Sequence, residues 1–120
     1  MNAQTLFSAI FTEARDSRTA VLYEQREITY GDLHEETRRT AEVLNALGLG
    51  LGDRVAILLN DSPEFIASFV AICALGAIAV PINMGLRADE QFVILNDCTA
   101  RAAIVEADLS PSRPGVDPCV

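Results

Sequence analysis

"GDRVAILLNDSPEFIASFVAICALGAIAVPIN", residues 52–83, decides the fold of this 120-residue chain. Residues 65–82 form a run of 18 without a charge, about the length that crosses a bilayer. However, Ser62, Pro63 and Glu64 are typical of a helix start, and Gly76 can end the helix. A helix of about 13 residues spans roughly 20 Å, short of a hydrocarbon core of about 30 Å. We therefore predict a buried helix followed by a strand, and no membrane span.

Two apolar segments flank this predicted helix. Residues 53–60 are mostly apolar without alternation, which is typical of a strand covered on both faces of a parallel sheet. The second segment, residues 78–82, is short and closed by Pro81, which cannot donate a ladder hydrogen bond within a continuing central strand. Together these segments predict a strand–helix–strand unit with parallel strands.

The preceding residues predict a short helix, a β-hairpin and a longer helix. Apolar residues recur at helical spacing over 6–14, and strands at 19–24 and 27–30 flank a turn at Gln25 and Arg26. A helix over about 30–47 begins at the cap Thr29, with Asp32 as the capping-box carboxylate, and ends before Gly48. The residues predicted to face inward are Leu33, Thr37, Ala41, Leu44 and Leu47.

The following residues continue the alternation. Residues 88–98 predict a helix with Phe92 and Leu95 facing inward together with Val93 or Ile94, and residues 101–107 predict another buried strand. The fold class is therefore α/β: βαβ units with a mainly parallel sheet and flanking helices, preceded by the short helix and hairpin. Residues 1–109 form the predicted folded part, and residues 110–120 form an irregular tail with three prolines.

Composition excludes several classes of protein. The chain is 50% hydrophobic and 22% charged, which is typical of a globular domain. A formal net charge of −8 disfavours nucleic acid and anionic membrane surfaces as partners, since both require clustered Lys and Arg. The three cysteines, Cys73, Cys98 and Cys119, form no CxxC motif, so we expect reduced thiols in a cytoplasmic protein.

No motif in the sequence indicates an assembled catalytic or binding site. The glycine-rich segment 48–53 follows a helix and precedes a strand, the reverse of a dinucleotide-binding turn, and is interpreted as a connector. The single histidine, His34, is expected to be solvated, and Cys73 lies in the most apolar helix, where a core position is favoured. Neighbouring carboxylates on a helix diverge by about 100 degrees, so two pairs are interpreted as solvated charges: Glu35/Glu36 and Asp89/Glu90. We therefore predict no catalytic, cofactor-binding or metal-binding residue.

Three segments together resemble a known family. They are "ITYGDL" (28–33), residues 52–83 and "ILNDCTARAAIVEADL" (94–109). Between about residues 18 and 109 the chain is similar to the N-terminal part of the adenylate-forming superfamily, which contains acyl-CoA synthetases, peptide-synthetase adenylation domains and luciferases. The segments "SPEF" and "VPIN" are closer to acyl- and aryl-CoA ligases. The resemblance implies that this chain is an incomplete part of a larger family domain.

The resemblance also implies a chemistry and its missing parts. Family members activate a carboxylate with ATP and Mg²⁺ and pass the acyl group to a thiol such as CoA. Their phosphate-binding loop and catalytic lysine belong to later segments, and this sequence contains no lysine. We therefore expect an N-terminal fragment of an acyl-CoA synthetase, inactive alone, whose partner is the remainder of the enzyme. Two alternatives remain: a stand-alone module that self-associates through an exposed sheet edge or binds an adenylating partner, and a complete small enzyme of unrecognised chemistry.

Overall fold

The structure, a computed structural model, describes residues 8–12 and 15–106. Residues 8–10 are helical, and the following elements are β1 (Thr19–Tyr23), β2 (Arg26–Thr29), α1 (Tyr30–Ala46), β3 (Arg54–Leu58), α2 (Pro63–Ala74), β4 (Ile78–Pro81), α3 (Ala88–Asp97) and β5 (Ala102–Val105). This order confirms the predicted alternation of strands and helices. Of the predicted first helix (6–14), residues 8–10 are helical whereas residues 11 and 12 are not, and of the predicted last strand (101–107), Ala102–Val105 is a strand. Residues 6, 7, 13, 14 and 107 and the Pro-rich tail at 110–120 lie outside the described residues.

Strands β3, β4 and β5 form a parallel sheet in the order β4-β3-β5. Residues Val55, Ala56 and Ile57 of the central strand are fully buried. Side chains alternate between the two faces of a strand, so Val55 and Ile57 face one helix layer and Ala56 faces the other. Burial on both faces explains why this strand lacks an alternating polar pattern. The structure therefore confirms the α/β class with a parallel sheet.

The unit β3–α2–β4 forms as the sequence predicts. The Ser62 hydroxyl accepts a hydrogen bond from the backbone N–H of Phe65 at 3.2 Å, and Pro63 occupies the first turn, where no helical donor is lost. The helix ends at Ala74 with Leu75 as its C-cap, and Gly76 turns the chain with φ +76°. Strand β4 then pairs with β3 along Arg54–Ile78 to Ile57–Pro81.

Helix α1 lies beside α2 on one face of the sheet. Its start is a capping box in which the Thr29 hydroxyl accepts from the Asp32 N–H at 3.1 Å, and the Asp32 carboxylate accepts from the Thr29 N–H at 3.3 Å. The inward prediction for Leu47 is wrong, since 49% of this residue is exposed. The helix ends at Ala46, Gly48 turns the chain with φ +84°, and Leu49 occupies the buried position instead.

The hairpin β1–β2 forms a separate antiparallel sheet. Its turn lies at Glu24 and Gln25, one residue before the predicted position, because Tyr23 pairs with Arg26. Both turn residues have positive φ, 48° and 68°, as a two-residue turn of the primed type requires. Neither glycine nor asparagine, the usual residues of such a turn, occupies these two positions. Ala20 and Ile28 of the hairpin pack on a cluster formed by Phe11, α1 and α2.

Helix α3 covers the opposite face of the sheet, but the residues that it buries differ from those predicted. Ile94 and Leu95 pack against the core, as expected, but Phe92 and Val93 are 43% and 58% exposed. Gln91 is buried on this face of the helix together with Ile94 and Leu95. Its side-chain amide donates a hydrogen bond to the Asn83 carbonyl at 3.4 Å, which compensates the burial of a polar group. The inward prediction for Phe92 is therefore wrong: a polar residue with a hydrogen-bond partner is buried instead.

Candidate functional site

The carboxyl ends of the parallel strands are where a binding site is expected in this class of fold. The chain passes from β3 to β4 on one side and then crosses to β5 on the other side. Ligands of open α/β sheets bind at such a switch point, outside the carboxyl ends of the strands. In this chain the switch point lies between β3 and β5, next to Leu59 and Glu106.

A cleft of about 600 Å³ opens at this switch point. Its walls come from the hairpin, α1, α2 and the end of β5. The lining residues include Tyr23, Arg26, Glu36, Arg39, Val43, Leu44, Leu59, Glu64, Ser68, Ile104, Val105 and Glu106. We call this feature the switch-point cleft. Its floor is apolar: Leu44, Leu59 and Ile104 are all buried.

Acidic side chains dominate the electrostatics of the switch-point cleft. Glu36, Glu64 and Glu106 line it beside two arginines. Of those, Arg39 lies 3.3 Å from Glu35, and Arg26 lies over the Tyr23 ring at 5.7 Å. The pKa of the Tyr23 phenol is raised, first by the neighbouring Glu24 carboxylate and by partial burial, with Glu64 and Glu106 adding to the rise. The cleft is therefore a negatively charged environment.

A second, smaller cleft of about 330 Å³ lies between the ends of β3 and β4. Asn60, Asp61 and Asn83 line it. The Asn83 side-chain oxygen accepts from the Gly85 N–H at 2.8 Å, so this side chain shapes the loop that follows β4. Apolar side chains, among them Phe65, Ile82 and Met84, also line it.

The glycine-rich segment 48–53 lies at the opposite, amino end of β3, as its interpretation as a connector requires. Its turn is closed internally, because the Asp53 carboxylate accepts from the Gly50 N–H at 2.9 Å. The same carboxylate accepts from Arg101 at 3.0 Å, which joins the start of β3 to the start of β5. These contacts lower the pKa of Asp53, the Gly50 hydrogen bond most and then the one from Arg101.

Asp53 therefore makes stability depend on pH. A carboxylate whose pKa is lower in the folded state contributes stability above its unfolded pKa, here near the ordinary value of 3.8, and loses it as pH falls through the folded pKa. We expect the free energy of unfolding to decrease below about pH 5, and Asp53→Asn to remove part of that decrease. Urea unfolding at a series of pH values measures the free energy of unfolding of the unchanged chain and of each variant. Asp97→Asn, an exposed change at the end of α3, is the matched control; equal pH profiles for the two variants would contradict the role of Asp53.

The candidates considered from sequence do not converge on one site. His34 is half-buried and stacks on Phe11 with ring centroids 4.7 Å apart, so the prediction of a solvated histidine is wrong. Glu35 is not merely solvated, since it binds Arg38 and Arg39 and its pKa is lowered, chiefly by the Arg38 hydrogen bond. Glu36 faces the switch-point cleft. Burial raises the pKa of the half-buried Cys73 thiol, which opposes a nucleophilic role.

Sequence reasoning missed Glu64, Ser68 and Glu106 as cleft residues. A signal existed for Ser68, because it is the only hydroxyl in the apolar run of residues 65–82. In the folded chain only 4% of Ser68 is exposed. No comparable signal existed for Glu64 and Glu106, which lie far apart in the sequence and share the cleft through the tertiary fold.

The charge of the switch-point cleft is unfavourable for a nucleoside triphosphate. Carboxylates predominate in the switch-point cleft, and the chain offers no lysine for a phosphate. Within residues 8–12 and 15–106, no group of three His, Cys, Asp or Glu side chains could hold a metal ion. In the same part of the chain, every helix is too short or too polar to cross a membrane.

This chain matches part of several longer proteins. A family model described as "AMP-binding enzyme" matches residues 10–119. Crotonobetaine/carnitine–CoA ligase of Proteus mirabilis is 34% identical over 104 residues, which cover 82% of this chain and 20% of that protein. Long-chain-fatty-acid–CoA ligase FadD13 of Mycobacterium tuberculosis is 43% identical over 90 residues, 75% of this chain and 17% of that protein.

A solved structure has the same fold over most of this chain. The anthranilate CoA ligase AuaEII, in complex with anthranoyl-AMP, superposes with a TM-score of 0.82 at 36% identity. The alignment covers 92% of this chain and 21% of that one. The chain thus spans about a fifth of the length of the proteins that it matches.

Proposed function

This chain belongs to the AMP-binding enzyme family, as its resemblance predicted, and on that premise we propose that it is the N-terminal part of an acyl- or aryl-CoA ligase. The observation that carries the proposal is the match of nearly the whole chain to about a fifth of an aryl-CoA ligase, at a TM-score of 0.82. The family uses ATP, Mg²⁺ and CoA. In the complete enzyme these would activate a carboxylate and form its thioester.

We propose that this segment contributes scaffold and not reacting groups. The described residues form a sheet, its helix layers and an acidic cleft, and the full sequence has no lysine to serve as the catalytic one. Phosphate binding and the catalytic lysine are therefore assigned to sequence outside these residues, and the chain alone is expected to be inactive. Its free thiols, Cys73 and Cys98, support a cytoplasmic location.

ATP–pyrophosphate exchange with a panel of aliphatic and aromatic carboxylic acids tests this proposal. Two proteins are compared: the 120-residue chain, shown to be folded by circular dichroism, and a chimera in which the chain replaces the matching segment of the mycobacterial FadD13 ligase. We expect exchange from the chimera and none from the chain alone. The intact mycobacterial ligase is the positive control.

Two outcomes would contradict the proposal. Exchange by the folded chain alone would mean that a compact catalyst exists within 120 residues. A chimera that is folded but inactive, beside an active intact ligase, would mean that this segment cannot serve as the N-terminal part of such an enzyme.

A second candidate function is a stand-alone module that self-associates. The observation that favours it is the outer edge of β5, which pairs with no other strand among the described residues. Unpaired strand edges favour pairing with another chain. Sedimentation velocity separates the candidates, because a discrete dimer at micromolar concentration favours the module, whereas a monomer or an irregular aggregate opposes it.

A further inference from the structure

Ser68 leaves an unused hydrogen-bonding group at the switch-point cleft. Hydroxyls within a helix commonly donate to the carbonyl four residues earlier, as Thr37 does to Leu33 at 2.7 Å and Thr40 does to Glu36 at 2.9 Å. The Ser68 hydroxyl makes no such bond, nor any to another residue that the structure describes, although only 4% of Ser68 is exposed. Buried polar groups nearly always have a partner, so the missing partner is expected from a group that enters the cleft.

The three carboxylates of the cleft outnumber its two arginines, and one of these, Arg26, lies over the Tyr23 ring. Glu36, Glu64 and Glu106 form no ion pair with the residues that the structure describes, whereas the nearby Arg39 is already bound to Glu35. The negative potentials of Glu64 and Glu106 both reach Tyr23. An occupant with a Lys or Arg side chain would complement this charge.

The floor between these polar groups suits a protein segment. Leu44, Leu59 and Ile104 form an apolar surface, and Val43 on the rim is 50% exposed. An apolar centre with a charged rim is the usual composition of a protein–protein contact. A second copy of this chain is a poor occupant, because its net charge of −8 would oppose an acidic cleft.

We propose that the switch-point cleft seats a basic segment from the remainder of the enzyme, whose Lys or Arg side chain pairs with Glu64 and Glu106 and whose polar group binds the Ser68 hydroxyl. This inference rests on the proposed function, since the chain spans only about a fifth of its relatives and the remainder would supply the occupant. The cleft is then a contact between parts of one enzyme, and the arrangement assigns Glu64, Glu106 and Ser68 a role in assembly.

Carboxyl footprinting tests the contact directly. A carbodiimide with glycine ethyl ester labels accessible carboxylates, and mass spectrometry measures the labelling rate of each one in the chain alone and in the FadD13 chimera. We expect Glu64 and Glu106 to react about tenfold more slowly in the chimera, because water and reagent are excluded from a packed contact. Glu27, an exposed carboxylate on β2 outside the cleft, is the internal control and should react equally in both. Equal rates for Glu64 and Glu106 in the two proteins would overturn the proposal.

Substitutions then test which groups carry the contact. Ser68→Ala should raise the Tm of the chain alone, where the hydroxyl lacks a partner, and lower the Tm of the chimera, where the hydroxyl is bound. The double change Glu64→Gln and Glu106→Gln should lower the Tm of the chimera most at low salt, and Glu27→Gln should change neither protein. A Ser68→Ala effect of the same sign in both proteins would contradict the role of the hydroxyl.

These measurements separate this inference from the proposed function. A chimera that is folded and protected at Glu64 and Glu106 but inactive in exchange would retain the contact and reject the function. A chimera that is active but labelled like the chain alone would retain the function and reject the contact.

Discussion

Ile57→Ala is expected to decrease the free energy of unfolding by about 2–5 kcal/mol, the range for truncating a buried isoleucine. Ile57 is fully buried in the central strand of the sheet and packs in the cluster that joins the sheet to α1 and α2. Alanine would remove three carbons and leave a cavity, because the neighbouring strands on both sides restrict collapse. A loss of this size is a large fraction of the stability of a typical domain.

Urea unfolding of the 120-residue chain, followed by circular dichroism at 222 nm, measures this loss. Val93→Ala is the matched control, because Val93 is apolar and β-branched but 58% exposed on α3. The control should change the free energy of unfolding by less than about 0.5 kcal/mol. Equal losses for both variants would mean that β3 is not the centre of the core.

Gly76→Ala is expected to cost about 1–2 kcal/mol, because an L side chain disfavours the left-handed backbone that Gly76 adopts at φ +76°. The added Cβ would also lie 3.1 Å from the Leu51 Cδ1 atom. This second contribution is small, since Leu51 is 91% exposed and its side chain can move. The turn between α2 and β4 would then open or carry strain.

Gly50→Ala provides the control for this prediction. A Cβ at Gly50 would meet no atom within 4 Å, and Gly50 does not have a positive φ. We expect Gly50→Ala to be neutral or to stabilise the fold by up to about 1 kcal/mol, since it reduces the freedom of the unfolded chain. Thermal unfolding of both variants measures the difference. A Gly76→Ala protein as stable as Gly50→Ala would contradict the conformation of the α2–β4 turn.

Most of the fold could be predicted from the sequence, because the residues that mark helix starts agree with the pattern of apolar residues that become buried. Ser62 and Pro63 mark the start of α2, Thr29 and Asp32 mark the start of α1, and the capping bonds form as expected. Errors occurred where burial depends on which side of a helix meets the sheet. Phe92 is exposed although it is apolar, and Gln91 is buried although it is polar, because a hydrogen bond to Asn83 compensates its burial.

Much less of the candidate site could be predicted. The sequence marks Ser68 as the lone hydroxyl of an apolar run, but whether that hydroxyl has a partner depends on its surroundings in the folded chain. Glu64 belongs to the start of α2 and Glu106 follows β5, so only the parallel arrangement of the strands brings them to one cleft. No periodicity in the sequence encodes this proximity, because the two residues belong to different elements.

The sequence by itself determined the elements, the α/β class and the family, because caps, glycine turns and apolar runs act over a few residues. The absence of lysine from the 120 residues also led to the prediction that the catalytic lysine lies outside this segment, which ATP–pyrophosphate exchange tests. Tertiary structure alone decided that β3 is central, that Gln91 is buried and that Glu36, Glu64, Glu106 and Ser68 share one cleft. The physical reason is that these properties depend on contacts between elements distant in sequence, which strand order and helix packing establish together.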